Sequence, residues 1–361
     1  MAADRRRAVR KEPGATPAAA NDGAQTLKRI NLAFQGGGSH GAFTWGVMDR
    51  LLEEEWLSFE GISGTSAGAM NAAVLACGWA RDKHRGAREG LDRFWRRIAE
   101  AGKTSPMKPS WLDQMIHPYR MDYSPGYFFF DLMTRLFSPY ELNPTGYNPL
   151  RDILAEEVDF DLLRRPDCIK LFISATNVRS GKVKVFDTSE LCVDALLASA
   201  CLPFMFHAVE VDGEHYWDGG YMGNPALFPL IYACQSKDIM IVQINPLHRE
   251  KLPTSAREIL ERVNEISFNS SLMREMRAVH FVTRLIDQGQ LSGEQYKKLH
   301  IHIVEAQQAM VDLGASTKLN ASLDFLLHLK GIGRETADGW LARHQDALNQ
   351  YGTVDLVETF F

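Results

Sequence analysis

Short apolar runs alternate with segments of helical periodicity from residue 28 to about residue 247. The first run, residues 30–34, ends at three glycines and predicts a buried strand that enters a tight loop. Phe43, Val47 and Leu51 then recur at the i, i+4, i+8 spacing of an amphipathic helix. Further strand-like runs follow at residues 59–63, 169–175, 183–186 and 239–244. This alternation predicts an α/β fold, with three α/β/α layers around a mainly parallel central sheet.

Three segments depart from the alternation. Residues 1–27 carry Arg, Ala and Pro without an apolar stretch, and predict a disordered basic tail. Residues 103–150 contain many Pro, Tyr and Phe residues and predict a cap-like insertion. Within it, Phe129, Leu132, Met133, Leu136 and Phe137 mark a short amphipathic helix. Residues 248–361 are expected to form a helical C-terminal extension of the main domain, residues 28–247.

Charge and composition exclude several classes of protein. The net charge of −5 and a pI of about 6.1 give no reason to expect a nucleic-acid partner. The five cysteines include no C-x-x-C pair, so no metal site is expected. The sequence contains neither the apolar core of a signal peptide nor an apolar stretch long enough for a transmembrane helix. We therefore expect a cytoplasmic protein, for which peripheral contact with a membrane stays open.

Residues 64–68, Gly-Thr-Ser-Ala-Gly, lie between a strand-like run and an alanine-rich helical segment. The G-x-S-x-G pattern is typical of a sharp strand-to-helix turn, where Gly64 and Gly68 avoid Cβ atoms that would collide around a strained serine. The N-terminus of the following helix would stabilise negative charge beside Ser66. Because the pattern also arises by chance, a turn without chemistry is the alternative.

Serine is a weak nucleophile unless a base lies within hydrogen-bonding reach. Asp218 offers such a base, because it follows residues 209–217, which predict a β-hairpin with its turn at residues 212–213. Gly219 and Gly220 come directly after it and keep the loop open. Taken alone, the segment is explained better by a simple Asp-Gly turn.

Residues 36–41, Gly-Gly-Gly-Ser-His-Gly, form a third motif between the first strand and the first helix. Gly36, Gly38 and Gly41 match the G-x-G-x-x-G dinucleotide fingerprint. The same loop suits an oxyanion hole, whose consecutive N–H groups stabilise the negative oxygen of a tetrahedral intermediate. A dinucleotide fold requires an acidic residue after its second strand, and the candidate there, Glu60, runs directly into the Ser66 motif. The oxyanion interpretation explains both motifs, whereas the dinucleotide interpretation explains one.

In this order, the three motifs resemble those of the patatin-like phospholipase family over about residues 28–247. Residues 198–203, Ala-Ser-Ala-Cys-Leu-Pro, also resemble the A-S-x-x-x-P stretch that precedes the family's aspartate. The resemblance implies a Ser66–Asp218 dyad that cleaves fatty acyl esters through an acyl-enzyme. It implies an oxyanion hole built from the backbone amides of Gly37, Gly38 and Ser39. The remaining motif residues would support the loops, namely Gly36, His40, Gly41, Gly64, Gly68, Gly219 and Gly220.

The resemblance further implies a lipid or membrane-surface substrate, such as a phospholipid or lysophospholipid, and no metal or organic cofactor. It leaves the formation of a homo-oligomer open. One residue departs from the family, which usually carries Arg or Lys where this chain has His40. Because histidine is only partly charged near neutral pH, we expect His40 to be a structural donor, and the departure leaves head-group preference open.

Three alternatives to this mechanism remain at this point, and the role of one aromatic segment is open. A Ser-Asp-His triad would use His248, which follows the strand-like run at residues 239–244. A non-catalytic lipid-binding or scaffold protein would bind lipid without a reaction at Ser66, and a dinucleotide-binding oxidoreductase would use the glycine loop. The aromatic residues 127–130 would line an acyl channel, contact a membrane surface, or pack as a cap on the core.

Overall fold

An eight-stranded mixed sheet forms the centre of the protein in a computed structural model that describes residues 27–105, 107–293 and 295–361. The predicted tail, residues 1–27, lies outside the described residues except for Leu27. The strands are β1 Lys28–Phe34, β2 Leu57–Thr65, β3 Lys170–Asn177, β4 Val183–Asp187, β5 Val209–Val211, β6 Glu214–Asp218, β7 Asp238–Gln243 and β8 His300–Glu305.

The sheet runs in the order β5-β6-β3-β2-β1-β7-β8, and β4 pairs with β3 beside this path. The contiguous strands β3, β2, β1, β7 and β8 are parallel to one another, whereas β4, β5 and β6 pair antiparallel. Phe34 at the end of β1 pairs with Gly64 on β2 and with Val242 on β7. The loops that follow these parallel strands therefore meet at one edge of the sheet, and the predicted mainly parallel sheet is confirmed.

Helices cover both faces of the sheet, as the three-layer prediction requires. Along β1, Leu32 and Phe34 belong to one buried apolar cluster and Ala33 to a second. This alternation places the two clusters on opposite faces, because successive side chains of a strand point to opposite sides. The helices are α1 Gly41–Leu51, α2 Ala67–Gly102, α3 Trp111–Ile116, α4 Pro125–Leu136, α5 Pro139–Leu142, α6 Leu150–Glu157, α7 Phe160–Leu163, α8 Val193–Ser199, α9 Phe228–Ala233, α10 Ala256–Asp287, α11 Gln307–Val311, α12 Leu323–His344 and α13 Leu356–Phe360.

The segment after residue 247 differs from the helical extension that the sequence predicts, because it contributes strand β8 to the central sheet. All six residues of β8 pair in parallel with β7. The run is short, and His300 and His302 interrupt its apolar pattern, so hydropathy alone does not mark it as a strand. His302 is nevertheless completely buried, and its Nε2 lies 3.0 Å from a carboxylate oxygen of Asp238. A buried hydrogen-bond partner thus allows a polar residue inside this strand.

Helix α12 joins the same core by crossing α1 at close range. A Cβ atom at Gly46 would collide with the carbonyl oxygen of Lys330, and one at Gly333 would collide with the carbonyl oxygen of Phe43. Two glycines on facing helices therefore allow the backbones to touch. The C-terminal segment is packed into the layer that carries α1 rather than appended to it.

The Pro- and aromatic-rich segment, residues 103–150, contains α3, α4 and α5. The predicted amphipathic helix is confirmed as α4, which begins after Ser124 with Pro125 in its first turn. No residue of α4 is buried, and Phe128 and Phe129 are 65% and 62% exposed. Among the described residues, no helix combines the length and the apolar character that a bilayer-spanning segment needs.

Candidate active site

Ser66 stands at the sharp turn between β2 and α2, in a backbone conformation that L-amino acids rarely adopt, with φ 55° and ψ −124°. The turn brings backbone segments so close that neighbouring side chains have no room. A Cβ atom at Gly64 would lie 2.7 Å from the carbonyl oxygen of Gly68, and a Cβ at Gly68 would collide with the carbonyl oxygen of Phe34. The two flanking glycines therefore permit the strained serine, as the motif predicts.

The sheet brings Asp218 to the same edge as Ser66. Thr65 on β2 pairs with Ser174 on β3, and the next residue of β3, Ala175, pairs with Asp218 at the end of β6. The predicted hairpin β5–β6 is confirmed, with its turn at residues 212–213. Two residues that are 152 positions apart along the chain are thus separated by one strand.

The Asp218 carboxyl group is buried and accepts a hydrogen bond from the Gly220 N–H, at 2.7 Å. Burial raises its pKa to about 6, while the hydrogen bonds from Gly220 and from the Ser66 side chain and the charge of Lys318 hold the pKa down. The contact with Ser66 makes the carboxylate available to that hydroxyl. A carboxylate with a pKa near 6 is a stronger base than an ordinary aspartate and is still ionised at neutral pH.

The glycine loop lies on the other side of Ser66. Gly36 donates its N–H to the side-chain oxygen of Asn224 at 2.7 Å, and a Cβ at this position would lie 2.7 Å from the Cβ of Ser66. Within the described residues, no hydrogen-bond acceptor is found for the N–H groups of Gly37 and Gly38. Ser39 is buried in the 3-10 turn that continues from the loop, Gly38–His40. The loop thus offers free backbone donors next to the strained serine.

The remaining predicted support residues also lie at this edge. A Cβ at Gly41 would lie 2.7 Å from the Cβ of Ala67, so the glycine allows α1 and α2 to begin side by side. Gly219 packs against the backbone of Ser174, where a Cβ would collide with the carbonyl group. Gly220 supplies the N–H that Asp218 accepts.

His40 is buried, and its Nε2 lies 2.6 Å from the hydroxyl of Thr317. That hydroxyl has one proton, which it donates to the carbonyl oxygen of Gly314 or Leu313, so it accepts the Nε2–H of His40. Burial and the charge of Lys318 lower the pKa of His40 well below its usual range. The imidazole is therefore neutral, and position 40 carries no positive charge.

Four residues outside the three motifs complete the surroundings. Ser199 accepts the backbone N–H of Ser66 at 2.9 Å, and its signal in the sequence is the A-S-x-x-x-P stretch. Asn245 donates to the carbonyl oxygen of Gly36 at 2.9 Å, and Lys318 donates to Asn245 at 2.9 Å. Together with Asn224, the last two residues lie in segments that no local motif marks, so sequence patterns do not reveal them.

A cavity of about 410 Å³ opens over Ser66, Asp218 and the glycine loop. Most of its lining is apolar, and it includes Phe94, Trp95, Ile98, Leu202, Met205 and Phe268. The cap-like segment contributes Ser105 and residues 148–150 to the wall. A cavity of this size and character accommodates a hydrocarbon chain with few polar contacts.

A second cavity, of about 360 Å³, adjoins the first and shares with it Leu202, Met205, Phe268, Lys318 and Leu319. Charged residues are more frequent around it, because α10 supplies Arg257 and Glu265, α4 supplies Asp131, and the loop before α10 supplies Arg249. Tyr127 and Phe130 of α4 also face this second cavity. An apolar and a charged compartment thus meet next to the candidate dyad.

The structure does not bring His248, the base of the alternative triad, to Ser66. His248 is exposed, and its carbonyl oxygen accepts a hydrogen bond from Gln307. His207 stacks on Tyr140 with ring centroids 4.1 Å apart. Among the described residues that line the first cavity, none is a histidine. In the described parts of the chain, no group of three or more His, Cys, Asp or Glu side chains is arranged to hold a metal ion.

Known proteins resemble this chain over different lengths. The protein YjjU of Escherichia coli (strain K12), which is described as uncharacterized, is 43% identical over 56 residues, 15% of this chain and 16% of that protein. Among solved structures, VipD from Legionella pneumophila has a TM-score of 0.39 at 13% identity, over 92% of this chain and 73% of VipD. The type III effector ExoU, also solved with SpcU from Pseudomonas aeruginosa, has a TM-score of 0.36 at 16% identity, over 88% of this chain and 53% of ExoU.

The family assignment rests on a different comparison, with profiles of whole protein families. The profile described as patatin-like phospholipase matches residues 32–231, which contain the glycine loop, Ser66 and Asp218. The match covers more than half of the 361 residues. The chain therefore belongs to the patatin-like phospholipase family.

Proposed function

We propose that the protein hydrolyses fatty acyl esters of phospholipids or related lipids, with Ser66 as nucleophile and Asp218 as base. Membership of the patatin-like phospholipase family supports lipid hydrolysis at the level of the family. The observation that carries the residue assignment is the contact between a strained serine and a buried carboxyl group whose pKa is about 6. Both groups open into the apolar cavity, where an acyl chain would lie.

In the first half of the reaction, the Ser66 oxygen attacks the ester carbonyl carbon while Asp218 takes the hydroxyl proton. The carbonyl oxygen becomes negative, and the N–H groups of Gly37 and Gly38 stabilise it. The N-terminus of α2, which begins at Ala67, adds its positive dipole end. Loss of one such donor typically costs about 10²–10³ in kcat, so the loop is expected to contribute strongly.

The tetrahedral intermediate then collapses to an acyl-enzyme, and the leaving alcohol takes the proton from Asp218. In the second half, Asp218 accepts a proton from water, and the hydroxide oxygen attacks the Ser66 ester. Collapse of the second intermediate releases the fatty acid and returns a proton to the Ser66 oxygen. One water is consumed, and the carboxylate ends in its starting state.

The alternative functions fit the geometry less well. In the dinucleotide interpretation, Gly36 and Gly38 would face a pyrophosphate, but Gly36 packs on Ser66 and Gly38 on the Lys318 carbonyl. A non-catalytic lipid carrier has no need for a serine held at φ 55° beside a buried carboxylate. Strain of this kind is typically retained where a reaction uses it.

We further propose that the cap-like segment contacts a lipid surface. On α4, Tyr127 and Phe130 face the second cavity, whereas Phe128 and Phe129 are largely exposed. On α3, Trp111 is 73% exposed. Exposed aromatic side chains next to a lipid cavity favour insertion into the interfacial region of a membrane.

Vesicle binding tests the surface contact. Phe129→Asp is expected to weaken sedimentation with phosphatidylcholine vesicles by about 10-fold, because one aromatic side chain would no longer leave water. Tyr232→Asp, whose side chain on α9 is 83% exposed, is the matched control and is expected to bind as the wild type. Equal binding by all three proteins would show that α4 does not meet the membrane.

The dyad is tested by hydrolysis of a chromogenic acyl ester. Ser66→Ala and Asp218→Asn are each expected to lower kcat by at least about 10³-fold, because each removes a group that acts in every step. Ser58→Ala, on the same strand, and Asp212→Asn, at the hairpin turn, are the matched controls and should keep activity. Substantial turnover by both folded dyad variants would refute the mechanism.

A further inference from the structure

Lys318 lies between the two cavities and lines both of them. It belongs to a 3-10 turn, Ser316–Leu319, which is far from the three motifs in sequence and outside residues 32–231 of the family match. Its carbonyl oxygen packs against Gly38 of the glycine loop. Its ammonium group donates to the side-chain oxygen of Asn245 at 2.9 Å, and Asn245 in turn holds the carbonyl oxygen of Gly36.

Lys318 differs from the other cations around the second cavity because no carboxylate in the described part of the chain forms an ion pair with it. Burial lowers the pKa of its ammonium group, whereas the more distant charges of Glu265, Glu261 and Asp218 raise that pKa. Arg249 pairs with Glu265 at 2.6 Å, Arg257 with Asp122 at 2.9 Å, and Arg135 with Asp131 at 3.0 Å. Among the described residues, no carboxylate oxygen lies within 4.0 Å of the Lys318 ammonium. An ammonium group has three N–H donors, so Lys318 retains donors for a further acceptor.

The position of this charge matters because the glycine loop itself carries none. His40 is neutral in its hydrogen bond to Thr317, the residue directly before Lys318. The charge of Lys318 reaches Asp218, whose pKa it lowers, and His40, whose pKa it also lowers. The ammonium group is thus the positive centre that acts on the candidate dyad.

We propose that Lys318 binds the phosphate group of a phospholipid substrate and makes the site selective for phosphate-bearing lipids over neutral acyl esters. This inference rests on the hydrolase function proposed above. With the scissile ester at Ser66 and the acyl chain in the apolar cavity, the head group extends into the charged cavity. A phosphodiester lies a few bonds from the ester and carries one negative charge on two free oxygens. The Lys318 ammonium stands at the passage that such a head group must cross.

Paired substrates with the same acyl chain test the proposal, namely a palmitoyl lysophosphatidylcholine and monopalmitoylglycerol. Lys318→Gln removes the charge and keeps a donor for Asn245. Its kcat/KM for the lysophospholipid is expected to fall about 10- to 100-fold, mainly through KM, as for the loss of one charge-assisted hydrogen bond. For the neutral lipid, kcat/KM should stay within about 2-fold when both are measured at pH 7.5, where Asp218, with a pKa of about 6, is ionised.

Lys318→Arg keeps the charge and is expected to retain the preference for the lysophospholipid. Lys182→Gln, at an exposed turn, is the matched control and should leave kcat/KM unchanged for both substrates. Equal losses on both substrates would mean that Lys318 acts on the reacting groups or the fold, and unchanged kinetics would mean that it binds no phosphate. Either result overturns the proposal. If Ser66→Ala is as active as the wild type, the hydrolase function itself fails, so the two failures are distinguishable.

A measurement on the wild type keeps the proposal testable if Lys318→Gln does not fold. A non-hydrolysable alkyl phosphocholine and an alkyl glycerol ether with the same chain are compared as inhibitors of monopalmitoylglycerol hydrolysis. The phosphocholine is expected to inhibit at a roughly 10-fold lower concentration, since it adds one ionic hydrogen bond. Inorganic phosphate, which has no chain to anchor it, should inhibit weakly. Equal inhibition by the two ethers would contradict a phosphate site.

Discussion

Two regions of the protein build the candidate site in different ways. The region matched by the family, residues 32–231, supplies Ser66, Asp218 and the glycine loop as short contiguous motifs. The C-terminal region, residues 248–361, contains none of these motifs, yet it packs on the loop through Thr317 and Lys318. The reacting groups are therefore encoded locally, whereas their surroundings depend on contacts between distant parts of the chain.

The contacts between the regions converge on one place. His40 bonds to Thr317, Gly38 packs on the Lys318 carbonyl, and α1 crosses α12 through facing glycines. The glycine loop is therefore held from outside by the C-terminal region. A substitution that disrupts the contact between the glycine loop and the C-terminal region should therefore lower activity, although every motif residue stays in place.

The largest effect is expected from Gly38→Ala. Gly38 has φ 58°, and a Cβ there would collide with the carbonyl oxygen of Lys318, so the loop must move away from Ser66. Displacing an oxyanion donor is expected to lower kcat about 10²–10³-fold in ester hydrolysis. Gly181→Ala is the matched control, because Gly181 has φ 67° but open space around its Cβ position. Equal activity in the two variants would show that the glycine loop does not contribute to catalysis.

A smaller effect follows from the pKa of Asp218. The carboxylate must be ionised to accept a proton, so kcat/KM should be half-maximal near pH 6 and fall about 10-fold per pH unit below it. Burial raises the pKa of its neighbours Cys201 and Tyr221 to about 12, so neither titrates in this range. Lys318→Gln should shift the profile to higher pH, because the lysine charge lowers the pKa of Asp218. A profile that is flat between pH 5 and 7 would exclude Asp218 as the base.

The same pKa has a consequence for stability. The folded-state pKa of about 6 lies above the usual value of 3.8, so the folded state binds the proton more tightly than the unfolded state. The free energy of unfolding therefore falls as pH rises from 3.8 to 6, by about 3 kcal/mol at most. Asp218→Asn should be more stable than the wild type at pH 8, with the difference vanishing near pH 3.5. Urea denaturation at both pH values measures this, with Asp212→Asn as the exposed control, and equal stabilities at pH 8 would contradict it.

The smallest effect is expected at the hydrogen bond that joins the two regions. Thr317→Val leaves the Nε2–H of the buried His40 without its acceptor, which should lower the free energy of unfolding by about 1–3 kcal/mol. Thr104→Val removes an exposed hydroxyl that bonds only to the Ala101 carbonyl, and should be nearly neutral. Urea titration distinguishes them, and equal stability of the two variants would mean that the contact does not brace the loop.

Much of the fold follows from the sequence because its signals are local. Short apolar runs mark five of the strands, and the hairpin pattern marks the two strands that present Asp218. Strand β8 escapes the pattern because its histidines need Asp238, 62 and 64 residues away, to be acceptable inside the sheet. A polar residue with a distant partner has no signature in its own neighbourhood.

The candidate site likewise contains residues that local motifs predict and residues that they do not. The motifs predict the strained turn at Ser66 and the loop at Asp218, since glycine spacing reflects backbone geometry. They do not reveal Asn245 or Lys318, whose place beside the loop depends on packing between regions. They also do not reveal that His40 is neutral, because its pKa is set by burial and by the charge of Lys318.

The most direct test of the dyad is covalent labelling with a fluorophosphonate, followed by intact-mass and peptide mass spectrometry. Wild-type protein is expected to gain one adduct, located on Ser66, because only an activated serine attacks the phosphorus at a useful rate. Asp218→Asn should label at least about 10²-fold more slowly, and Ser66→Ala should gain no adduct. Folded wild-type protein that stays unlabelled, or an adduct on another serine, would contradict the assignment of Ser66 as the nucleophile.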